Sequence, residues 1–154
     1  MKLKPFELET DLRAWVRAQE SPKFRWVEPA RGATLGTPDC WCLLAHGLGA
    51  FGAPLIRTVW VELKLGEFQE GPDLLRMHVR PEQKRTITEI NEEGGQAHIL
   101  VGQKGGTRLW LLHGDLARHE GVIDLNYVIR NDMCWPLDSG PKALGLGLRG
   151  LIKV

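Results

Sequence analysis

Leu55-Ile56-Arg57-Thr58-Val59-Trp60-Val61-Glu62-Leu63-Lys64-Leu65 is the stretch on which the reading of this chain turns. β-Branched and aromatic residues dominate it, a composition that suits a pleated, half-buried strand better than a helix. Side chains alternate across a strand. Ile56, Thr58, Trp60 and Glu62 are therefore expected on one face, and Val59, Val61 and Leu63 on the other. Lys64 leaves on the Glu62 side. A carboxylate and an ammonium thus project together from the end of an otherwise apolar strand.

Upstream of this strand, residues 47–54 are glycine-rich and read as a loop, and residues 40–45 are a short apolar strand, so the two strands form a hairpin. Gly36-Thr37-Pro38-Asp39 stands immediately before the first of them, and the hairpin can bring Asp39 to the Glu62 end of its partner. Residues 29–36 are a loop of breakers, and residues 24–28 are a candidate short strand. Residues 5–18 read as an amphipathic helix with Leu8, Leu12, Trp15 and Val16 on one face. It ends near Glu20, because Pro22 biases Ser21 away from helical dihedrals.

Downstream, residues 66–79 look irregular. Pro81 then opens a helix with Glu82 in its first turn, Ile87 and Ile90 on one face and Gly94-Gly95 as its stop. Residues 97–101 and 107–112 are strands joined by a glycine turn, and residues 115–119 are a candidate helical turn. Beyond Gly121 the pattern is broken, with residues 122–129 a candidate strand. The order is helix, hairpin strands, helix, strand, strand. It predicts an α/β fold with a mixed central sheet flanked by helices.

The 154 residues suit a single domain. A net charge of +1 gives no global signature of a polyanion binder, although Arg76, His78, Arg80, Lys84 and Arg85 form a local basic run. Cys40, Cys42 and Cys134 have no disulfide-framework spacing and read as buried free thiols rather than zinc ligands. No leader-like segment and no long apolar run is present. The expected location is a reducing cytoplasm (that of the host, for a phage protein) with no membrane association.

Two further signals carry no function in this reading. The glycine patterns at residues 47–52 and 145–150 match a dinucleotide fingerprint, but neither is followed by the helix such a site requires, and both read as flexible segments. Trp60 and Trp110 read as core residues. Trp26, Trp41 and Trp135 are also expected to pack rather than to stack on bases.

The chemistry lies with Asp39, Glu62 and Lys64. Mg²⁺ is a hard cation that takes one or two protein carboxylates and keeps several waters. Acids on adjacent strands can hold it against a phosphate oxygen, and Lys64 can orient the attacking water or stabilise the developing oxyanion. The carbonyl of Leu63, between the two charged side chains, is a further candidate ligand. Asp39 and Lys64 are expected to face solvent, so that replacing either by alanine leaves folding intact.

Pro38-Asp39 followed by Glu62-Leu63-Lys64 at a strand end resembles the PD-(D/E)XK nuclease superfamily. The resemblance continues through Arg80-Pro81-Glu82-Gln83, a helix, Gly94-Gly95 and the strand at residues 97–101, and is nearest the branch of VRR-NUC domains and archaeal-type Holliday junction resolvases. It covers about residues 5–112 and implies a restriction-endonuclease-like αβββαβ core there, residues 113–154 as a C-terminal extension for dimer or DNA contacts, and DNA cleavage dependent on Mg²⁺, with Mn²⁺ as substitute. It also implies that Gln83 borders the active site and that an acid of the first helix joins it, Glu9 before Glu7 or Glu20. His78, Arg80, Lys84 and Arg31 are the candidate DNA contacts. Branched DNA and a twofold homodimer follow by analogy and symmetry. A DNA-binding protein without turnover, and an interaction domain whose charged strand end is accidental, remain the alternatives.

Overall fold

The apolar run with which the reading began forms β3 (Pro54–Phe68), in a computed structural model that describes residues 3–27, 36–68, 71, 73–119 and 121–151. One edge of β3 pairs antiparallel first with β2 (Cys40–Leu48), from Leu48↔Pro54 to Cys40↔Val61. Further along, the same edge pairs with β4 (Leu74–Met77), from Gly66↔Met77 to Phe68↔Leu75. The other edge runs parallel to β5 (Gln96–Gln103), from Val59↔Gln96 to Gly66↔Gln103. Residues 62–65 therefore face a break in strand pairing between β2 and β4.

The sheet continues antiparallel from β5 to β6 (Leu109–His113) and β8 (Cys134–Leu137), and closes on the far side with β1 (Arg25–Trp26) against β2. A short β7 (Ile123–Asp124) borders β4. The architecture is mixed α/β with a mixed central sheet, as the element order predicts.

Side-chain alternation divides the interior in two. On one face Val59, Val61, Leu63 and Leu100 pack with Leu12, Trp15 and Val16 of α1 (Glu9–Arg17) and with Leu144 and Leu148 of α4 (Ala143–Leu151). On the other face Ile99, Val101 and Trp110 pack with Ile87 of α2 (Pro81–Glu92) and with Leu125 and Val128 of α3 (Leu125–Arg130). The three cysteines are buried and free, as expected.

Several expectations are corrected. Residues 5–8 are not helical: Phe6 is buried and is pinned to the β5–β6 turn by hydrogen bonds from Phe6 N to Gly106 O (2.8 Å) and from Gly105 N to Phe6 O (2.7 Å). Leu8 lies at the helix N-cap and is exposed. Residues 66–68 and 74–77 are strand rather than irregular, because β3 runs on through Gly66 and pairs there with β4. A Cβ at Gly66 would collide with Leu75 of β4, so the glycine marks a close strand crossing rather than a loop. Residues 122–129 are mostly α3, capped by the Asp124 carboxylate, which accepts from Asn126 N at 3.0 Å.

The segment after residue 112 is not peripheral. β8 extends the sheet although it contains Pro136, which an outermost strand tolerates. The glycines at residues 145–150 form α4 rather than a flexible stretch. Side chains at Gly145 and Gly147 would meet the Ser21 carbonyl and Leu137, so small residues let the helix seat closely. The loop at residues 47–54 is shorter than expected, since β2 reaches Leu48. Trp110 fills the core, Trp60 is half-buried, and Trp135 is exposed.

His98 on β5 is fully buried beside His113, with ring centroids 5.4 Å apart, and among the described residues neither of its ring nitrogens has a hydrogen-bond partner. Burial, and secondarily the His113 ring, pushes its pKa down to about 3. Folded His98 thus stays neutral where the unfolded chain takes up a proton, so its effect destabilises increasingly as pH falls below about 6.5. His98→Leu is expected to be the more stable protein, with an advantage that widens as pH drops from 6.5 to 4 by up to about 1.4 kcal/mol per pH unit. Urea titrations of both proteins across that range check it; a constant difference contradicts it.

Candidate active site

The break in pairing along β3 is filled by side chains. Asp39, the residue before β2, turns its carboxylate onto β3, and Oδ2 accepts the backbone N–H of Leu63 at 2.8 Å. It occupies the place that a carbonyl of a continuing β2 would otherwise take. A strand residue presents its N–H and C=O to the same edge, so the Leu63 carbonyl also faces the break. The Leu63 side chain points the opposite way, into the core with α1.

Gly36 holds this corner. Its φ is +95°, a conformation glycine adopts without steric cost, and a Cβ there would collide with the Glu82 carbonyl in the first turn of α2. The approach to Asp39 is therefore seated directly on the start of α2.

Glu62 projects from the same stretch toward α2 and is 1% exposed. Its Oε1 pairs with Lys64 Nζ at 3.0 Å and accepts from Gln83 Nε2. The amide of Gln83 is oriented by its other end, whose Oε1 accepts from Arg80 N at 3.0 Å. That bond also satisfies a free N–H at the start of α2, as in a capping box. Glu62 Oε2 is buried and has no hydrogen-bond partner among the described residues. Burial, and then the Asp39 charge, pushes the Glu62 pKa up to about 7 against the opposing pull of Lys64, with Glu9 adding to the rise.

Glu9, Asp39, Glu62, Lys64, Leu65, His78, Arg80 and Gln83 line one cavity of about 320 Å³. The sequence candidates brought together are thus Glu9, Asp39, Glu62, Lys64, Gln83, His78 and Arg80. Of the acids near the N-terminus, Glu9 is the one that lines the cavity, whereas Glu20 lies beyond α1, with its N–H on Pro141 O at 2.8 Å. Lys84 faces a neighbouring cavity. Arg31 lies outside the described residues.

The expectation that Lys64 faces solvent is corrected, because its side chain is only 10% exposed and that of Glu62 2%. Lys64→Ala would leave a buried carboxylate without its counter-ion, which is costly to folding. Arg13 is a residue that sequence reasoning missed. It sits one helical turn after Glu9, its Nη2 lies 3.6 Å from Asp39 Oδ1, and its guanidinium stacks 4.7 Å from the Trp26 ring centroid. The spacing of Glu9 and Arg13 puts them on one helix face, but nothing local says that this face meets Asp39.

Among the described residues, no three carboxylate, imidazole or thiol groups form a metal cluster by themselves. The donors present fit a different kind of ion. Asp39, the unpartnered Glu62 Oε2 and the Leu63 carbonyl are hard oxygen donors, few enough to suit a cation that keeps most of its water. No protein-family model matches this chain, and no curated protein does. No helix among the described residues is long and apolar enough to cross a membrane.

A carboxyl whose folded pKa is raised holds its proton more tightly in the folded state. Its contribution is favourable at low pH and is lost as pH rises through about 7. Glu62→Gln is therefore expected to be more stable than the parent at pH 8, by on the order of 1–3 kcal/mol, with little difference near pH 4. Thermal melts at the two pH values test this; parallel behaviour would exclude a strained buried charge.

Proposed function

We propose that this chain is a divalent-metal-dependent endonuclease that hydrolyses phosphodiester bonds in DNA, on a restriction-endonuclease-like core. The observation that carries the reading is the buried Glu62 carboxylate, with one oxygen unpartnered, at a break in strand pairing shared with Asp39, Lys64 and Gln83. With the two-residue β1 set aside, the order α1, β2, β3, β4, α2 and β5 supports the αβββαβ reading.

Asp39, Glu62 and the Leu63 carbonyl are the residues that would hold Mg²⁺ or Mn²⁺, with Glu9 on the cavity wall as an outer partner. A bound cation supplies an acidified water and a counter-charge for the phosphate. The chain's own groups supply the rest. Lys64 donates to the attacking oxygen or to the oxyanion that develops on phosphorus. Gln83 fixes Glu62 through Oε1 and so leaves Oε2 for the ion. Arg80 and His78 stand on the cavity wall where flanking phosphate oxygens would lie. Branched DNA, cut in pairs by a twofold homodimer, is the substrate and assembly class that the resemblance favours.

Incubation of the protein with supercoiled plasmid, linear duplex, flap and four-way junction DNA tests the reading, with Mg²⁺, Mn²⁺ or EDTA in parallel. Metal-dependent cutting is expected, strongest on the junction. Asp39→Asn and Glu62→Gln should each lower it about 100-fold or more while the circular dichroism spectrum is kept, whereas Lys64→Met, which strips Glu62 of its counter-ion, should lose both cutting and stability. Binding that persists in EDTA without cutting in metal would make the protein a DNA binder without turnover. Neither binding nor cutting would make it an interaction domain.

A further inference from the structure

The segment 78–84 contributes to two cavities. Arg80 and Gln83 line the candidate active site, Pro81 and Lys84 line a second cavity of about 420 Å³, and His78 lines both. Arg76 of β4, Lys84 of α2 and His119 line the second cavity together with the apolar Met77 and Ile123. His119 is held by its Nε2, 2.8 Å from the Val122 carbonyl oxygen.

Charge separates the two cavities. In the first, Lys64 is paired with Glu62 and Arg13 with Asp39. Among the described residues, no acid lines the wall of the second and neither Arg76 nor Lys84 makes an ion pair. Cations lining a concave, partly apolar surface raise the local concentration of anions. A tetrahedral oxyanion can accept from several directions at once, which suits donors arriving from separate elements.

The geometry points to this second cavity as a subsite for a phosphate group of the nucleic acid strand whose neighbouring phosphodiester occupies the candidate active site. The inference rests on the nuclease reading for its substrate. The shared His78 wall makes the two positions adjacent, so the subsite would set which way the strand runs across Glu62.

The test is fluorescence anisotropy with a labelled single-stranded oligonucleotide carrying a 5′-hydroxyl or a 5′-phosphate, in EDTA, over a salt series. The proteins are the parent, Arg76→Ala/Lys84→Ala, and Arg149→Ala of α4 on the opposite sheet face as a charge control. Each lost phosphate contact should flatten the log-affinity against log-salt slope by about 0.7, so the double variant should lose about 1.4 and bind several-fold more weakly, with the control unchanged. An equal loss for both oligonucleotides marks an internal phosphodiester. A loss confined to the 5′-phosphate form marks a terminal phosphate.

An unchanged slope, a control that falls as far as the double variant, or no binding by the parent overturns the subsite. Cutting by the parent with an unchanged slope removes the subsite and keeps the nuclease. A flattened slope with no cutting in any metal does the reverse.

Discussion

The hydrogen bond from Leu63 N to the Asp39 carboxylate is the constraint on which the rest of the site depends. It lets β2 end and β4 begin on the same edge of β3 with the Leu63 N–H satisfied and the Leu63 carbonyl left facing the gap. An intact ladder would fill that edge with main chain, and no side chain could approach. Ending the ladder with a carboxylate opens a cavity beside Glu62 and supplies one of its acids in the same step. Fold and site share a single bond.

The acids are balanced unequally. Asp39 meets Arg13 at the half-exposed rim, where water screens the pair, whereas Glu62 meets Lys64 where little water reaches. The deep acid is accordingly the one driven toward protonation, chiefly by burial. Its unpartnered oxygen leaves a solvation deficit that a cation would relieve. Such local instability is what a binding site needs and what a purely structural ion pair avoids.

Much of this was legible in sequence where one interaction dominates. The alternation from Val59 to Lys64 places every side chain on its correct face because strand period and burial agree there. Gly36-Thr37-Pro38-Asp39 and the Glu62–Lys64 pair were readable because strand ends carry local signals, whereas Gln83 entered only through the family resemblance. What escaped was held by tertiary contact alone. β4 begins beyond charged and glycine residues, β8 carries a proline, and α4 is built on glycines whose value lies in what they let approach. Arg13 gave no cue because its partner comes from another element.

The collision that any Cβ at Gly36 would make with Glu82 has a mechanical consequence. The chain entering β2 and the first turn of α2 are locked as one corner, with Asp39 three residues to one side and Gln83 beginning the other. A lateral push on α2, from a ligand or a neighbouring molecule, would be passed by steric contact to the acid at the strand edge as well as to the amide that steadies Glu62. Two of the groups surrounding the cavity would then shift in concert, which makes their relative spacing a property of this single tight joint.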